Sequence, residues 1–265
     1  MIKHYLKVAF RNLIKYKTQS LVSIIGLAVG FTCFALSVLW IRYEMTYDNF
    51  HEGADRIYLV RAHYANEPGT SKFTPYPLMK YLQDKMPEIE AVTAFTAHYV
   101  KFRMEDTEQE IGMIAADSVF MNFFDIQLLK GTVNFLKCDG QEVAITKEFA
   151  KRLFSKEEDA LGKEVEVGRR VCKIGAIVSG WSNHSNIPYN ILAPARHSPQ
   201  WGSSNEQLLI RVRERTDIDA FRTKMSTVHI NDIEKESELS DLLITRMSAL
   251  RYSDYVDKAD VVISF

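Results

Sequence analysis

The feature that most constrains this chain is an uninterrupted apolar run near its start. Residues Leu21 to Ile41 read LVSIIGLAVGFTCFALSVLWI, twenty-one residues without a charge. As a helix rising about 1.5 Å per residue, the run reaches about 31 Å, roughly the thickness of a bilayer's hydrocarbon core. The run therefore predicts a transmembrane helix at residues 20–42 and a separate domain on the far side at residues 43–265.

The charges around the run predict its direction. The first 43 residues contain six Lys and Arg and no Asp or Glu, and five of those six precede the run. The positive-inside rule then places the N-terminus in the cytoplasm. Taking these six from the 33 Lys and Arg leaves 27 against 34 Asp and Glu, so the far-side domain carries a net charge of −7. The near-neutral total thus combines a basic anchor with an acidic domain.

A cleaved signal peptide is the main alternative to a retained span. Its apolar core is about 7–15 residues long and precedes a cleavage site of small residues. This run is longer and ends in Trp40-Ile41-Arg42-Tyr43. Trp40 and Tyr43 suit the aromatic belt at a membrane surface. The length and the flank favour a retained span.

Basic residues recur every four positions before the run. On a helix this spacing forms one stripe, while Ile2, Leu6 and Phe10 gather on another face. Residues 1–19 are therefore predicted to form an amphipathic helix in the cytoplasmic headgroup layer. A plain basic leader that only sets topology is the alternative. The predicted membrane-surface residues are Lys3, Lys7, Arg11, Lys15, Lys17 and Trp40.

Two glycines within the run suggest that the span packs against another helix. Gly26 and Gly30 form a Gly-x-x-x-Gly pattern, and small residues at this spacing let two helix backbones approach closely. Glycine is also common in membrane helices generally, which is the simpler explanation.

The far-side residues alternate between strand-like and helical segments, which predicts an α+β domain with mixed sheets. Thr74, Asp117, Thr146 and either Thr216 or Asp217 are the predicted helix N-caps. The predicted strands are 56–64, 91–104, 109–115, 141–145, 164–168, 170–179, 191–193, 207–213 and 242–247, and the predicted helices are 75–85, 117–124, 147–154 and 217–229.

No pattern predicts a catalytic, cofactor or metal site. Gly162-Lys163 is followed by Glu164 instead of the hydroxyl residue of a phosphate-binding loop, and the histidines lack metal-ligand spacing. Basic residues interspersed with acids argue against nucleic-acid binding. Cys138 and Cys172 could pair in an oxidising compartment or remain thiols.

The order of short segments after the run resembles bacterial ABC-transporter permeases of the MacB/FtsX/LolCE type, most of all the group typical of Bacteroidetes. The first two are 43–51 (YEMTYDNFH) and 54–58 (ADRIY). No single segment is specific, but the ordered series covers nearly the whole chain. The remaining segments are 116–124, 128–131, 143–146, 150–154 and 160–163.

The resemblance implies a transport role for this chain as the N-terminal part of a permease with a MacB-like periplasmic core domain. Such permeases have four spans, with a periplasmic domain of two lobes, one of them porter-like, after the first. A partner ATPase binds and hydrolyses ATP, and two permease subunits, identical or different, convert this into periplasmic movement, called mechanotransmission. Outputs in the family include export of peptides or drugs and lipoprotein extraction. A periplasmic adaptor is a further implied partner.

The resemblance also implies a place in the cell and a limit to the chain. It implies the bacterial inner membrane, with residues 43–265 periplasmic and no enzymatic activity in the chain itself. No second apolar run precedes Phe265. We therefore expect a fragment of a four-span permease, or a split or truncated gene. The alternative function is a single-pass, membrane-anchored periplasmic sensor or binding module that acts through a partner.

Overall fold

A computed structural model describes the chain at residues 4–5, 11, 14–48, 50–64, 69–105, 107–137, 141–154, 156–181, 184–228 and 239–250. The chain divides into two compact units, Met1–Tyr47 and Asp48–Phe265.

The first unit is built on one long helix. Helix α1 (Lys17–Glu44) has 28 residues, slightly more than the predicted span. Its most apolar stretch has no buried residue, so its apolar side chains are exposed along the whole run. The hydroxyl groups of Thr32 and Ser37 donate to the carbonyl oxygens of Ala28 and Cys33, at 2.8 and 2.9 Å. Helix α1 is therefore long and apolar enough to cross a membrane, and these hydroxyls are satisfied without water.

The second unit is an α+β domain with one N-terminal apolar helix before it, so the predicted fold class is confirmed. Its predicted division into two lobes is not confirmed, because Asp48 onward forms one compact unit. The helices are α2 (Pro77–Lys85), α3 (Ser118–Phe123), α4 (Lys147–Leu153) and α5 (Ile218–Ser226). The strands are β1 (Ile57–Tyr64), β2 (Thr70–Ser71), β3 (Ile89–Met104), β4 (Thr107–Ala116), β5 (Leu128–Gly131), β6 (Glu142–Thr146), β7 (Glu164–Val167), β8 (Arg170–Val178), β9 (Ile191–Pro194), β10 (Gln207–Val212) and β11 (Leu239–Arg246).

One part of the domain is a four-stranded antiparallel sheet. Its order is β11-β1-β10-β3. Helices α2 and α5 lie against one face, where Leu78, Leu82, Phe221 and Met225 join the apolar side chains of the strands in one buried cluster. Burial of such side chains contributes about 1.5–3 kcal/mol each, so this face holds the helices to the sheet.

The other part is a small closed β-barrel. The pairings run β3-β4-β9-β6-β8-β7 and return to β3, with parallel pairs at β4–β9 and β6–β8. Alternate side chains point inward. On β4, Ile111 and Met113 belong to the barrel's interior cluster, whereas Ile114 and Ala116 belong to a third cluster outside it. The two-residue connection Gly168-Arg169 joins the antiparallel strands β7 and β8, where the sequence predicts strands at 164–168 and 170–179.

Local signals in the sequence located most helix starts correctly. The side chains of Asp117, Thr146 and Asp217 accept hydrogen bonds from the first backbone N–H groups of α3, α4 and α5, as predicted. The prediction for Thr74 is wrong, because its backbone N–H donates to Glu206 O at 2.7 Å and holds it extended. Helix α2 begins instead at Pro77, whose fixed φ suits the first helical position.

A helix end and two short strands also differ from the sequence prediction. Helix α5 ends at Ser226, before the predicted end at residue 229, which lies outside the described residues. Strands β2 and β5 are not predicted from the sequence. They have two and four residues, too short to show an alternating pattern.

Gly112 tests the packing between β4 and the loop before β9. A Cβ atom on Gly112 would lie 2.5 Å from the backbone oxygen of Pro188. We expect Gly112→Ala to lower the free energy of unfolding by about 1–3 kcal/mol, since backbone must move to admit the methyl group. Chemical denaturation measures this. Gly30→Ala, where nothing lies within 4 Å, is the control and should leave the unfolding of the domain unchanged.

Gly26 tests the predicted packing of α1 against another helix. Among the described residues, nothing lies within 4 Å of a Cβ atom placed on Gly26 or Gly30, which leaves room for a partner backbone. We expect Gly26→Ile to weaken association with a neighbouring span, because the side chain blocks close approach. Cross-linking in a bilayer measures association. Val29→Ile is the control, and equal cross-linking of all three proteins would contradict the packing prediction.

Candidate functional site

The second unit begins with a buried carboxylate. Asp48 follows the end of α1 by four residues and is completely buried. Its φ is 57°, in the left-handed region that Asp tolerates better than most residues. Its backbone N–H donates to His184 O at 3.3 Å, which ties this turn to the loop before β9. The chain therefore enters the domain through a fixed turn with a charge inside.

Two neighbouring residues in the loop before β9 hold the carboxylate. Ser185 Oγ donates to Asp48 Oδ1, and the backbone N–H of Asn186 donates to Oδ2 at 3.1 Å. Asn186 Nδ2 also donates to Asp48 Oδ2 at 2.6 Å and, with its second hydrogen, to Met247 O at 3.1 Å. Asp48, Ser185, Asn186 and Met247 form the Asp48 cluster. It joins the start of the domain to its last described turn, Met247–Ala249.

Burial and hydrogen bonding have opposite effects on the pKa of Asp48. Burial raises the pKa of Asp48 above its ordinary value, while the hydrogen bonds from Ser185 and Asn186 lower it in part. Burial of a carboxylate is unfavourable unless hydrogen bonds satisfy it. Because the folded pKa is raised, the contribution of Asp48 to stability falls as the pH rises above the ordinary value for Asp. At neutral pH the buried carboxylate therefore lowers the stability of the domain, while its hydrogen bonds fix the position of the turn.

An aromatic cavity lies beside this turn. Its volume is about 290 Å³, and its walls include Phe50, His51, Phe124, Trp181 and Arg211. The His51 ring centroid lies 4.2 Å from that of Phe50, 4.7 Å from Phe124 and 4.9 Å from Trp181. In this aromatic cavity, the first residues of the domain therefore pack against rings distant in sequence, in tilted and edge-to-face arrangements.

The surroundings of His51 disfavour the protonated form of its imidazole. Burial, with the nearby Arg211 guanidinium as the second cause, lowers its pKa to about 4. Its Nε2 atom is buried and has no hydrogen-bond partner among the described residues. The ring therefore remains neutral at ordinary pH and acts as an apolar surface in the cavity.

The imidazole of His197 lies between two carboxylates, one on the residue before α3 and one on the residue before β10, and neither ring nitrogen has a hydrogen-bond partner among the described residues. His197 Nδ1 lies 3.2 Å from Glu206 Oε1, and Nε2 lies 3.9 Å from Asp117 Oδ2. The imidazole stacks on Tyr76 at 4.1 Å with an interplanar angle of 5°. The two carboxylates lie on opposite ring nitrogens, so they do not converge on one ion. Among the described residues, no group of three or more His, Cys, Asp or Glu could hold a metal ion.

The residues singled out from the sequence all lie in the first unit. Gly26, Gly30 and Trp40 are on α1, and Trp40 is exposed. Lys3 and Lys7 lie outside the described residues, while Arg11, Lys15 and Lys17 are described and exposed. Their roles in helix packing and at the membrane surface remain predictions. Cys138 also lies outside the described residues, so its pairing with Cys172 is not tested.

The sequence analysis did not single out the Asp48 cluster. From the sequence, Asp48 is only part of a segment that resembles a family, Met247 is only the end of a predicted strand, and Asn186 has no predicted role. The available signal is an acidic residue shortly after an apolar span. Neither its left-handed φ nor its partners 137 and 138 residues away can be read from local spacing.

The structure shows an α+β domain preceded in sequence by one helix that is long and apolar enough to cross a membrane. The chain belongs to the family described as the MacB-like periplasmic core domain, which it matches over residues 20–228. It is thus the periplasmic domain of a MacB/FtsX-like ABC transporter permease, with one candidate span before it. No curated protein matches it significantly.

Solved structures share the fold at low sequence identity. A domain described as part of a permease protein from Porphyromonas gingivalis has a TM-score of 0.59 at 19% identity, covering 74% of this chain and 92% of that one. The extracellular domain of the noncanonic ABC-type transporter YknZ from Gram-positive bacteria has a TM-score of 0.52 at 14% identity. The match covers 71% of this chain and 99% of that one. The periplasmic region of MacB from Actinobacillus actinomycetemcomitans has a TM-score of 0.51 at 12% identity. The match covers 76% of this chain and 94% of that one.

The low pKa of His51 predicts a pH dependence of stability. The unfolded chain binds a proton near pH 6.5, but folded His51 stays neutral down to about pH 4. Its contribution is therefore complete above pH 6.5 and lost as the pH falls toward 4. Between these limits we expect the free energy of unfolding to fall by about 2–3 kcal/mol more in the wild type than in His51→Phe.

Chemical denaturation at several pH values measures this difference, and unfolding of the 48–265 unit is followed by near-ultraviolet circular dichroism. His98→Phe is the matched control, because His98 is exposed on β3. It should retain the pH dependence of the wild type. Identical pH profiles for His51→Phe and the wild type would contradict the burial of a neutral His51.

Proposed function

We propose that this chain is the first span and periplasmic part of a permease that couples ATP hydrolysis by a partner ATPase to movement of its periplasmic domain. Membership of the MacB-like family supports the class of transporter. The observation that carries the coupling proposal is the Asp48 cluster, which links the residue four positions after α1 to the last described turn of the domain.

The proposed mechanism begins with motion of the span. Because Asp48 is only four residues beyond the end of α1, a displacement of α1 along or across the membrane is transmitted to Asp48. Asp48 cannot move alone, because Ser185 and Asn186 hold both carboxylate oxygens. Asn186 transmits the displacement to Met247 through their hydrogen bond. In a four-span permease, the chain continues from this part of the domain to the second span. The two connections to the membrane would then move the domain as one body.

The topology and partners of the proposal follow from the charge pattern and the family. The N-terminus is cytoplasmic, where residues 1–19 lie on the inner membrane near the ATPase. The domain is periplasmic, and a second permease subunit, identical or different, completes the transporter. Peptides, drugs or lipoproteins are the exported classes. A periplasmic adaptor is a further partner.

Asp48→Ala tests the coupling in the complete transporter reconstituted with its ATPase. We expect the ATP-driven change in distance between spin labels on the two periplasmic domains to be lost. Basal ATP hydrolysis should stay within about twofold, because Asp48 does not touch the nucleotide. Electron paramagnetic resonance measures the distance, and a phosphate-release assay measures hydrolysis.

Asp55→Ala is the matched control, since Asp55 is exposed in the turn Ala54–Arg56. Asn186→Leu is a second test, because it removes the bond to Met247 while Asp48 keeps its bond from Ser185. Normal ATP-driven distance changes in both folded variants would contradict the coupling role. A domain that never responds to ATP in the wild type would favour the sensor or binding module.

A further inference from the structure

The closed barrel has an open, apolar mouth. A cavity of about 390 Å³ enters it between β3, β4, β9 and the β7–β8 turn. Its walls include the side chains of Val100, Met113, Val143 and Val167. Ligand sites often occupy the mouths of β-barrels, and this volume lies within the roughly 300–1,000 Å³ of small-molecule sites.

The rim of the mouth is cationic. Arg169, Arg170 and Arg196 line the cavity together with His98, and no Asp or Glu is among its lining residues. Arg169 and Arg170 are exposed and make no ion pair with any described residue. This local charge is opposite to the net charge of −7 on residues 44–265, where 27 Lys and Arg stand against 34 Asp and Glu.

The rim is held in place by backbone contacts. Gly168 starts the turn with a φ of 65°, and its N–H donates to Lys101 O on β3 at 2.7 Å. The turn that carries Arg169 is therefore fixed to the neighbouring strand β3. Arginines carried on a fixed turn suit a carboxylate, which a guanidinium can bind through two parallel hydrogen bonds.

The geometry of the barrel selects a small amphiphile over an extended peptide. Every strand of the ring has a neighbour on each side, so none is the outer edge strand of an open sheet, the usual template for strand addition. Pairing is incomplete only at the mouth, where β7 pairs with two residues of β3 and β6 with two residues of β9. Besides the cationic rim and His98, the lining consists of Val, Ala, Met, Cys, Gly and Pro, without a Phe, Tyr or Trp that would favour a planar ring.

We propose that the barrel mouth binds a medium-chain fatty carboxylate. The aliphatic chain enters among Val100, Met113 and Val167, and the carboxylate bonds with Arg169 and Arg170 at the rim. This site is separate from the Asp48 cluster, and it does not depend on the transport function proposed above.

Equilibrium dialysis of radiolabelled octanoate against the full chain in nanodiscs tests the proposal, with empty nanodiscs as the blank for lipid partition. We expect one saturable site per chain above the blank. Arg169→Gln with Arg170→Gln should weaken binding about tenfold or more, since charged hydrogen bonds are lost. Ala193→Trp should abolish binding by filling the mouth.

Arg215→Gln with Arg222→Gln is the matched control, because it removes the same charge from exposed positions outside the barrel. It should bind octanoate like the wild type, and octylamine should show no saturable binding. The exposed turn tolerates the Arg169 and Arg170 changes, so unfolding temperatures should match the wild type. No saturable octanoate binding, equal binding of octylamine, or unchanged binding in the rim variant would each overturn the proposal.

Discussion

The domain depends on one strand that belongs to two structures. Strand β3 has sixteen residues, far more than the five or six of an average strand. Its first half pairs with β10 in the antiparallel sheet, and its second half pairs with β4 and β7 in the barrel. Since the hydrogen bonds of both parts run through one backbone, the sheet and the barrel cannot turn independently. This shared strand accounts for the single compact unit that the residues from Asp48 onward form.

The Asp48 cluster shows a different balance of forces. A buried carboxylate with hydrogen bonds from Ser185 and Asn186 is costly to desolvate, and apolar side chains of similar volume would often be more stable. Directional bonds, however, specify where the chain must enter the domain. In the proposed function this geometry matters more than stability, because force passes through the connection. The neighbouring aromatic cavity with His51 adds apolar contact on the same turn.

The sequence predicted what depends on local pattern. The span follows from length and charge, and the caps Asp117, Thr146 and Asp217 follow from residue type next to a periodic segment. The prediction of Thr74 as a helix cap is wrong, because a long-range backbone hydrogen bond to Glu206 overrides its capping preference. The closing of the barrel through β7 and the convergence of Asp48 with Asn186 and Met247 depend on contacts far apart in sequence, which local periodicity does not encode.

The pairing of β1 with β11 has a consequence for biogenesis. Strand β1 lies between β10 and β11, which enter the sequence about 150 and 180 residues later. Non-local pairings of this kind slow folding, because the entropy of loop closure precedes any gain in contacts. The early strand would emerge from the translocation machinery long before its partners. Its exposed edge would need protection against pairing with other chains, so a holding chaperone outside the membrane should influence the yield of this protein.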